Sequence, residues 1–203
     1  MSTRVKICGI TNLEDARVAV EFGADALGFV FAESPRRINP ETAAEIVCSL
    51  PPFLTCVGLF VDEAPELVGK VARECRLNAL QFHGEESPEY CRQFRLKKIK
   101  AFRIRDEHSL KVLSPYQVDA YLLDAWVEGI AGGTGERFNW DLAARAKESG
   151  RTIILAGGLR PDNVAEAIGK VRPYGVDVST GVESEPGKKD HEKMKEFINI
   201  VKS

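Results

Sequence analysis

The chain has 203 residues, 44% hydrophobic and 29% charged, with a formal net charge of −2. That length suits one globular domain, 1–203, with a sizeable core, and the charge provides no overall field to attract nucleic acid or an anionic membrane. No apolar stretch approaches the ~20 residues needed to cross a bilayer, and no basic-then-apolar leader follows Met1, so a cytoplasmic protein is expected.

In chain order, short β-rich runs alternate with helical patterns. "RVKIC" (4–8) reads as a strand, and "NLEDARVAVEFG" as a helix with apolar Leu13, Ala16 and Val20, stopped by Gly23. "ALGFVF" (26–31) is the second strand. "NPETAAEIVCSL" follows as a helix, with Asn39 as N-cap and Pro40 in its first turn. Strands are expected next at 55–61, 78–83, 98–103, 119–125, 152–157 and 175–179. The helical patterns between and after them are "APELVGKVAREC", "SPEYCRQF", "DEHSLKVL", "NWDLAARAKESG", "RPDNVAEAIGKV" and "KDHEKMKEFINIV", the fifth helix of the series being short. Strict alternation implies a parallel sheet with right-handed crossovers. Open doubly wound sheets usually have about five or six strands. Eight units point instead to a closed (β/α)8 TIM barrel near its minimum length, with its active site at the C-terminal ends of the strands.

The five cysteines form no C-x-x-C pair, and the three histidines are far apart, so neither a disulfide framework nor a zinc site is expected. Cys48, Cys56, Cys75 and Cys91 read as small hydrophobes, buried or partly so. Cys8 differs, because it closes a strand and is followed by Gly9. Strand alternation groups Val5 with Ile7 and Lys6 with Cys8, and in the sixth strand Leu122 with Asp124. If the apolar pairs face the helices, Cys8 and Asp124 meet in the barrel mouth as an acid–base pair. The alternatives are a buried thiol and a loop-ordering carboxylate.

Two glycine clusters close the last two strands: "AGGLRPDNV" with Gly157 and Gly158, and "DVSTGVE" with Ser179, Thr180 and Gly181. Loops in these positions often hold a phosphate on backbone N–H groups, although ordinary tight turns would look alike. On this reading a side chain at Gly158 or Gly181 harms binding more than folding. "GIAGGTGE" (129–136), which includes Gly133, lacks a P-loop lysine and reads as a lid. "SPRRI" brings Arg36 and Arg37 to the mouth, where one suits a carboxylate or phosphate and the other is a surface charge. His83, ending the fourth strand, is either a ligand contact or a structural histidine.

These pieces, "KICGIT", "GFVF", "SPRRI", "LQFHGE", "LLDAW", "GGTGERFNW", "LAGGLRPDNV", "DVSTGVE" and "PGKKD", together resemble the phosphoribosylanthranilate isomerases of tryptophan biosynthesis. The resemblance implies an Amadori rearrangement with no metal or cofactor. It also implies Cys8 as general base with a lowered pKa, Asp124 as general acid, and Arg36 on the anthranilate carboxylate. Gly158, Ser179, Thr180 and Gly181 would lie at the phosphate. Asn139 and Thr180 depart from the family's usual Asp and Ser, keeping a capping group and a hydroxyl respectively. The partner implied is a small phosphorylated metabolite, and the chain is expected as a monomer or homodimer. The rivals are a barrel such as indoleglycerol-phosphate synthase or a Schiff-base aldolase, each needing an inward lysine (Lys6 or Lys100), and a non-catalytic phosphometabolite-binding protein.

Overall fold

The computed structural model of the protein describes residues 2–125 and 140–203. Eight parallel strands close a barrel in chain order: β1 (Arg4–Cys8), β2 (Ala26–Val30), β3 (Thr55–Phe60), β4 (Ala79–Phe82), β5 (Lys97–Ile104), β6 (Ala120–Ala125), β7 (Ile153–Leu155) and β8 (Gly175–Val178). β8 returns to β1 with Asp177 beside Lys6 and Val178 beside Ile7, which leaves the barrel without an open edge. The expected (β/α)8 architecture is therefore the one observed.

The helices are α1 (Leu13–Glu21), α2 (Pro40–Cys48), α3 (Pro65–Glu74), α4 (Pro88–Arg92), α5 (Glu107–Lys111), α6 (Trp140–Glu148), α7 (Pro161–Val171) and α8 (His191–Lys202). Local chemistry sets their starts. Asn39 accepts from the Thr42 N–H at 2.7 Å with Pro40 behind it, and Asn12 accepts from the Asp15 N–H at 2.8 Å. The expected short fifth helix is α5, five residues long, and α4 is no longer. Phe94, just past α4, packs on Phe82 and Tyr90 instead of continuing the helix.

The apolar core lies in two layers. Outward strand residues such as Ile7, Phe29, Phe82, Leu123 and Val176 meet the helices. Inside the barrel, Val57, Ala79, Ile99, Ala101, Ala120, Leu122, Ile154 and Ala156 form a smaller cluster. Strand alternation therefore works as expected: Val5 and Ile7 join the outer layer, while Leu122 lies inside. Cys56, Cys75 and Cys91 are buried as expected. Cys48 is not; it is exposed near the end of α2.

One element escaped the sequence reading. After a 3-10 turn at Thr180–Val182, β9 (Glu183–Glu185) and β10 (Lys188–Lys189) form an antiparallel hairpin around Pro186 and Gly187. Its strands are short and charged, so neither alternation nor β-propensity marks them. The Pro-Gly pair was the only local signal. The hairpin folds over the mouth, where Thr11 Oγ1 donates to the Gly187 carbonyl.

Candidate active site

At the C-terminal end of the barrel, β1 delivers Cys8. Its side chain is nearly buried, packed with Val30 and Leu59. Its peptide is held on both sides. The N–H groups of Gly9 and Ile10 donate to the Gly28 carbonyl at 2.9 and 3.0 Å, and Lys189 Nζ donates to the Cys8 carbonyl at 2.6 Å. Gly9 has φ of +77°, and a Cβ there would lie 2.6 Å from Arg36 Cδ and 3.2 Å from Ser179 Oγ. The glycine behind the cysteine thus makes room for the arginine and the serine hydroxyl beside the thiol.

The thiol's protonation differs from the expectation of a lowered pKa. Burial pushes Cys8 up, Lys6 pulls it back, and the net direction is upward. Lys6 itself is pushed down by burial, but Asp177 and Cys8 outweigh that and hold it above the ordinary lysine value. Lys6 Nζ lies 2.9 Å from both Asp177 carboxylate oxygens. Of the two candidates for the inward lysine that a Schiff-base reading requires, Lys6 is sealed in this ion pair. Lys100 is not inward at all. Its neighbours Ile99 and Ala101 face the barrel interior, while Lys100 Nζ lies 3.2 Å from Glu86 and over the Phe102 ring. Lys100 and Glu86 therefore sit on the helix side, where Lys100 also donates to the Gly84 carbonyl and ties the β4–α4 loop.

β6 brings Asp124 to the mouth, opposite Arg103 in strand register. His83 follows β4, and its Nε2 lies 3.3 Å from Asp124 Oδ2. Gln81 Nε2 lies 3.2 Å from His83 Nδ1. The Gln81 amide backs the ring on its Nδ1 side, and Nε2 faces Asp124. His83 thus belongs to the carboxylate's support, more than a free ligand contact would.

Arg36 stands in the β2–α2 loop. Its Nε and Nη2 donate to Glu183 at 2.8 and 2.6 Å, a bidentate pair that raises the arginine's pKa. Lys189 Nζ donates to the same carboxylate at 2.9 Å. Burial alone would raise Glu183, but the two cations hold it below the ordinary glutamate value. Glu183, Lys189 and Asp177 were missed as individual site residues. All three lie inside motifs already noted, yet only the fold shows that Glu183 and Lys189 are buried and face Arg36 and Cys8. Arg37, by contrast, is exposed.

The two glycine loops behave differently. Gly157 and Gly158 both adopt left-handed backbone, with φ of +80° and +66°, and a Cβ on Gly158 would enter open space. Asn163 of α7 fixes this turn: its Nδ2 donates to the Gly158 carbonyl at 2.9 Å, and its Oδ1 accepts from the Arg160 N–H at 2.8 Å. Gly181 faces the other loop, and its Cβ would lie 1.9 Å from the Leu159 carbonyl oxygen. The expectation that a side chain at Gly181 spares folding is therefore corrected, because this glycine lets the two loops touch. Ser179 Oγ is buried and has no hydrogen-bond partner among the described residues, while Thr180 is exposed. Gly133 and the expected lid at 129–136 lie outside the described residues. Among those described, no helix is long and apolar enough to cross a membrane.

A closed (β/α)8 barrel that gathers a thiol, a carboxyl group, an arginine and an open glycine turn at one mouth has the architecture of a barrel enzyme. More particularly, the family model for N-(5′-phosphoribosyl)anthranilate isomerase matches residues 5–200, and the chain belongs to that family. It is 58% identical over 200 residues to the N-(5′-phosphoribosyl)anthranilate isomerase of Trichlorobacter lovleyi, covering 98% of each chain. It is also similar to the solved phosphoribosyl anthranilate isomerase of Thermotoga maritima, with TM-score 0.91, 48% identity and 98% of each chain covered. A further solved isomerase, in complex with reduced 1-(o-carboxyphenylamino)-1-deoxyribulose 5-phosphate, matches with TM-score 0.87 and 46% identity over 98% of each chain.

Proposed function

We infer that the whole chain, 1–203, acts as one catalytic domain in tryptophan biosynthesis. It converts N-(5-phosphoribosyl)anthranilate into 1-(2-carboxyphenylamino)-1-deoxyribulose 5-phosphate. The observation that carries this reading is the placement of Cys8 and Asp124 at the mouth ends of β1 and β6 in a chain of this family. Asp124 gives a proton to the ribose ring oxygen, and the ring opens to a protonated Schiff base on the anthranilate nitrogen. The Cys8 thiolate then takes the C2′ proton, whose acidity that cation raises. The resulting enolamine tautomerises, its hydroxyl proton being lost as C1′ gains one, to leave the ketone. His83, with Nε2 3.3 Å from Asp124 Oδ2, steadies the carboxylate that Asp124 becomes. Proton transfers of this kind are each worth about 10²–10⁴ in rate. The assay is the loss of anthranilate-type fluorescence when the substrate is generated in solution with the protein present. The setting is cytoplasmic, and the chain works as a monomer or homodimer.

Arg36 holds the anthranilate carboxylate, with Glu183 fixing the guanidinium through Nε and Nη2 and leaving Nη1 outside that pair. Lysine cannot copy this fork. Arg36→Lys is expected to raise KM by about tenfold or more, the worth of one charge-assisted hydrogen bond, while Arg37→Lys leaves KM near wild type. Steady-state kinetics of the two variants check this, and the reverse ranking would assign the wrong arginine.

The phosphate lies between the β7–α7 turn and the start of the 3-10 turn, on the N–H groups around Gly158 and Gly181 and the orphaned Ser179 hydroxyl. Inorganic phosphate should compete with substrate at roughly tens of millimolar, the range of a weak fragment. Gly158→Ala should weaken phosphate and substrate together. Inhibition kinetics read both, and an absence of competition would remove the phosphate site.

A further inference from the structure

Most of the barrel interior is filled with Val, Ala, Ile and Leu, but beneath Cys8 it is charged. Lys6 and Asp177 are 4% and 8% exposed and bonded at 2.9 Å. A buried ion pair costs desolvation that an apolar filling would avoid, and so contributes little to stability by itself. β2 leaves a gap for it. A Cβ on Gly28 would lie 2.8 Å from Cys8 Sγ and 2.9 Å from Lys6 Nζ, so the thiol and the ammonium close on one small space. Each favours the charged form of the other: Cys8 raises the Lys6 pKa and Lys6 lowers that of Cys8.

We propose that Lys6, anchored by Asp177, is the counter-cation of the Cys8 thiolate and a positioning residue for the base. This rests on the reading of Cys8 as general base. The other charges around the thiol do not replace Lys6. Arg36, from the β2–α2 loop, and Lys189, from β10, are both held by Glu183, and Lys189 reaches the Cys8 carbonyl. Asp177, from β8, is the one anion bonded to Lys6 among the described residues and opposes the thiolate. The arrangement keeps the resting thiol protonated and leaves a cation beside the same small space when the proton departs. Burial sets the first condition and Lys6 the second. Lys6 stays charged throughout, and the thiol proton leaves to solvent.

The two charges act on Cys8 with opposite signs, and that separates an electrostatic role from a packing role. Thiolate absorbance is titrated in each protein and in its Cys8→Ala counterpart, and the difference isolates Cys8 from the other four cysteines. Asp177→Asn should lower the Cys8 midpoint. Adding Lys6→Met to Asp177→Asn leaves no unpaired buried charge and should raise the midpoint by about one pH unit or more, the usual effect of a contacting cation. That is about tenfold less thiolate at a pH below both midpoints. The acidic limb of kcat/KM should move in the same direction in each variant. Equal midpoints in the single and double variants would overturn the proposal, as would a limb that stays fixed while the thiol midpoint moves. The titration needs no substrate. Wild-type protein with no isomerase activity but the expected midpoints would therefore fail the functional reading and leave the Lys6 contact standing.

Discussion

Cys8→Ala and Asp124→Asn should each lower turnover by at least about 10²-fold, the lower bound for losing a placed acid or base, with the fold intact. Neither change should disturb the barrel. Cys8→Ala removes one sulfur from a cluster of Val30 and Leu59. Asn keeps the shape of Asp124 and a hydrogen-bond partner for His83, which lies 3.3 Å away. What each variant loses is the transferable proton. KM should change little, because neither group is assigned to the carboxylate or the phosphate. Turnover near wild type in a well-folded Cys8→Ala protein would contradict the proposed chemistry. A double variant no slower than either single one would support it, since both groups serve one proton-transfer sequence.

The second large effect is on stability. In Gly181→Val the new Cβ meets the Leu159 carbonyl oxygen at 1.9 Å and its carbon at 3.0 Å. Backbone cannot step aside as a side-chain end can, so the two glycine loops must part. Overpacking of this kind costs about 1–3 kcal/mol, occasionally more. Thermal unfolding should show a clear loss, accompanied by loss of phosphate competition. Gly158→Ala makes the comparison. It enters open space, and its penalty is the left-handed backbone at φ of +66°, about 1–2 kcal/mol for a residue with a Cβ. If Gly181→Val melted with wild type, the loops would not be in the contact described.

Much of this was legible in the sequence, because period-two alternation and capping residues are local. Val5 and Ile7 against Lys6 and Cys8 placed the thiol, and Asn39 with Pro40 placed a helix start. What stayed hidden depends on distant parts of the chain. Glu183 and Lys189 sit in a charged hairpin that reads as solvent-exposed until the fold buries it against Arg36 and the Cys8 carbonyl. The pairing of Lys6 with Asp177 spans nearly the whole chain and appears only when β8 closes on β1. Lys100 reads as a possible inward lysine because nearby Lys97 and Lys98 obscure the alternation that Ile99 and Ala101 carry; the structure turns it outward to Glu86. Gly9 and Gly181 announced close approach without saying what approached. For both, the partner is another part of the chain, Arg36 in one case and Leu159 in the other.

The most direct test is the fluorescence assay on the wild-type protein, with N-(5-phosphoribosyl)anthranilate made in situ from anthranilate. The account predicts a first-order fluorescence decay faster than spontaneous breakdown, its rate proportional to protein concentration. The product should be 1-(2-carboxyphenylamino)-1-deoxyribulose 5-phosphate, with no return of free anthranilate. A decay no faster than the protein-free control, or one that regenerates anthranilate, would contradict it.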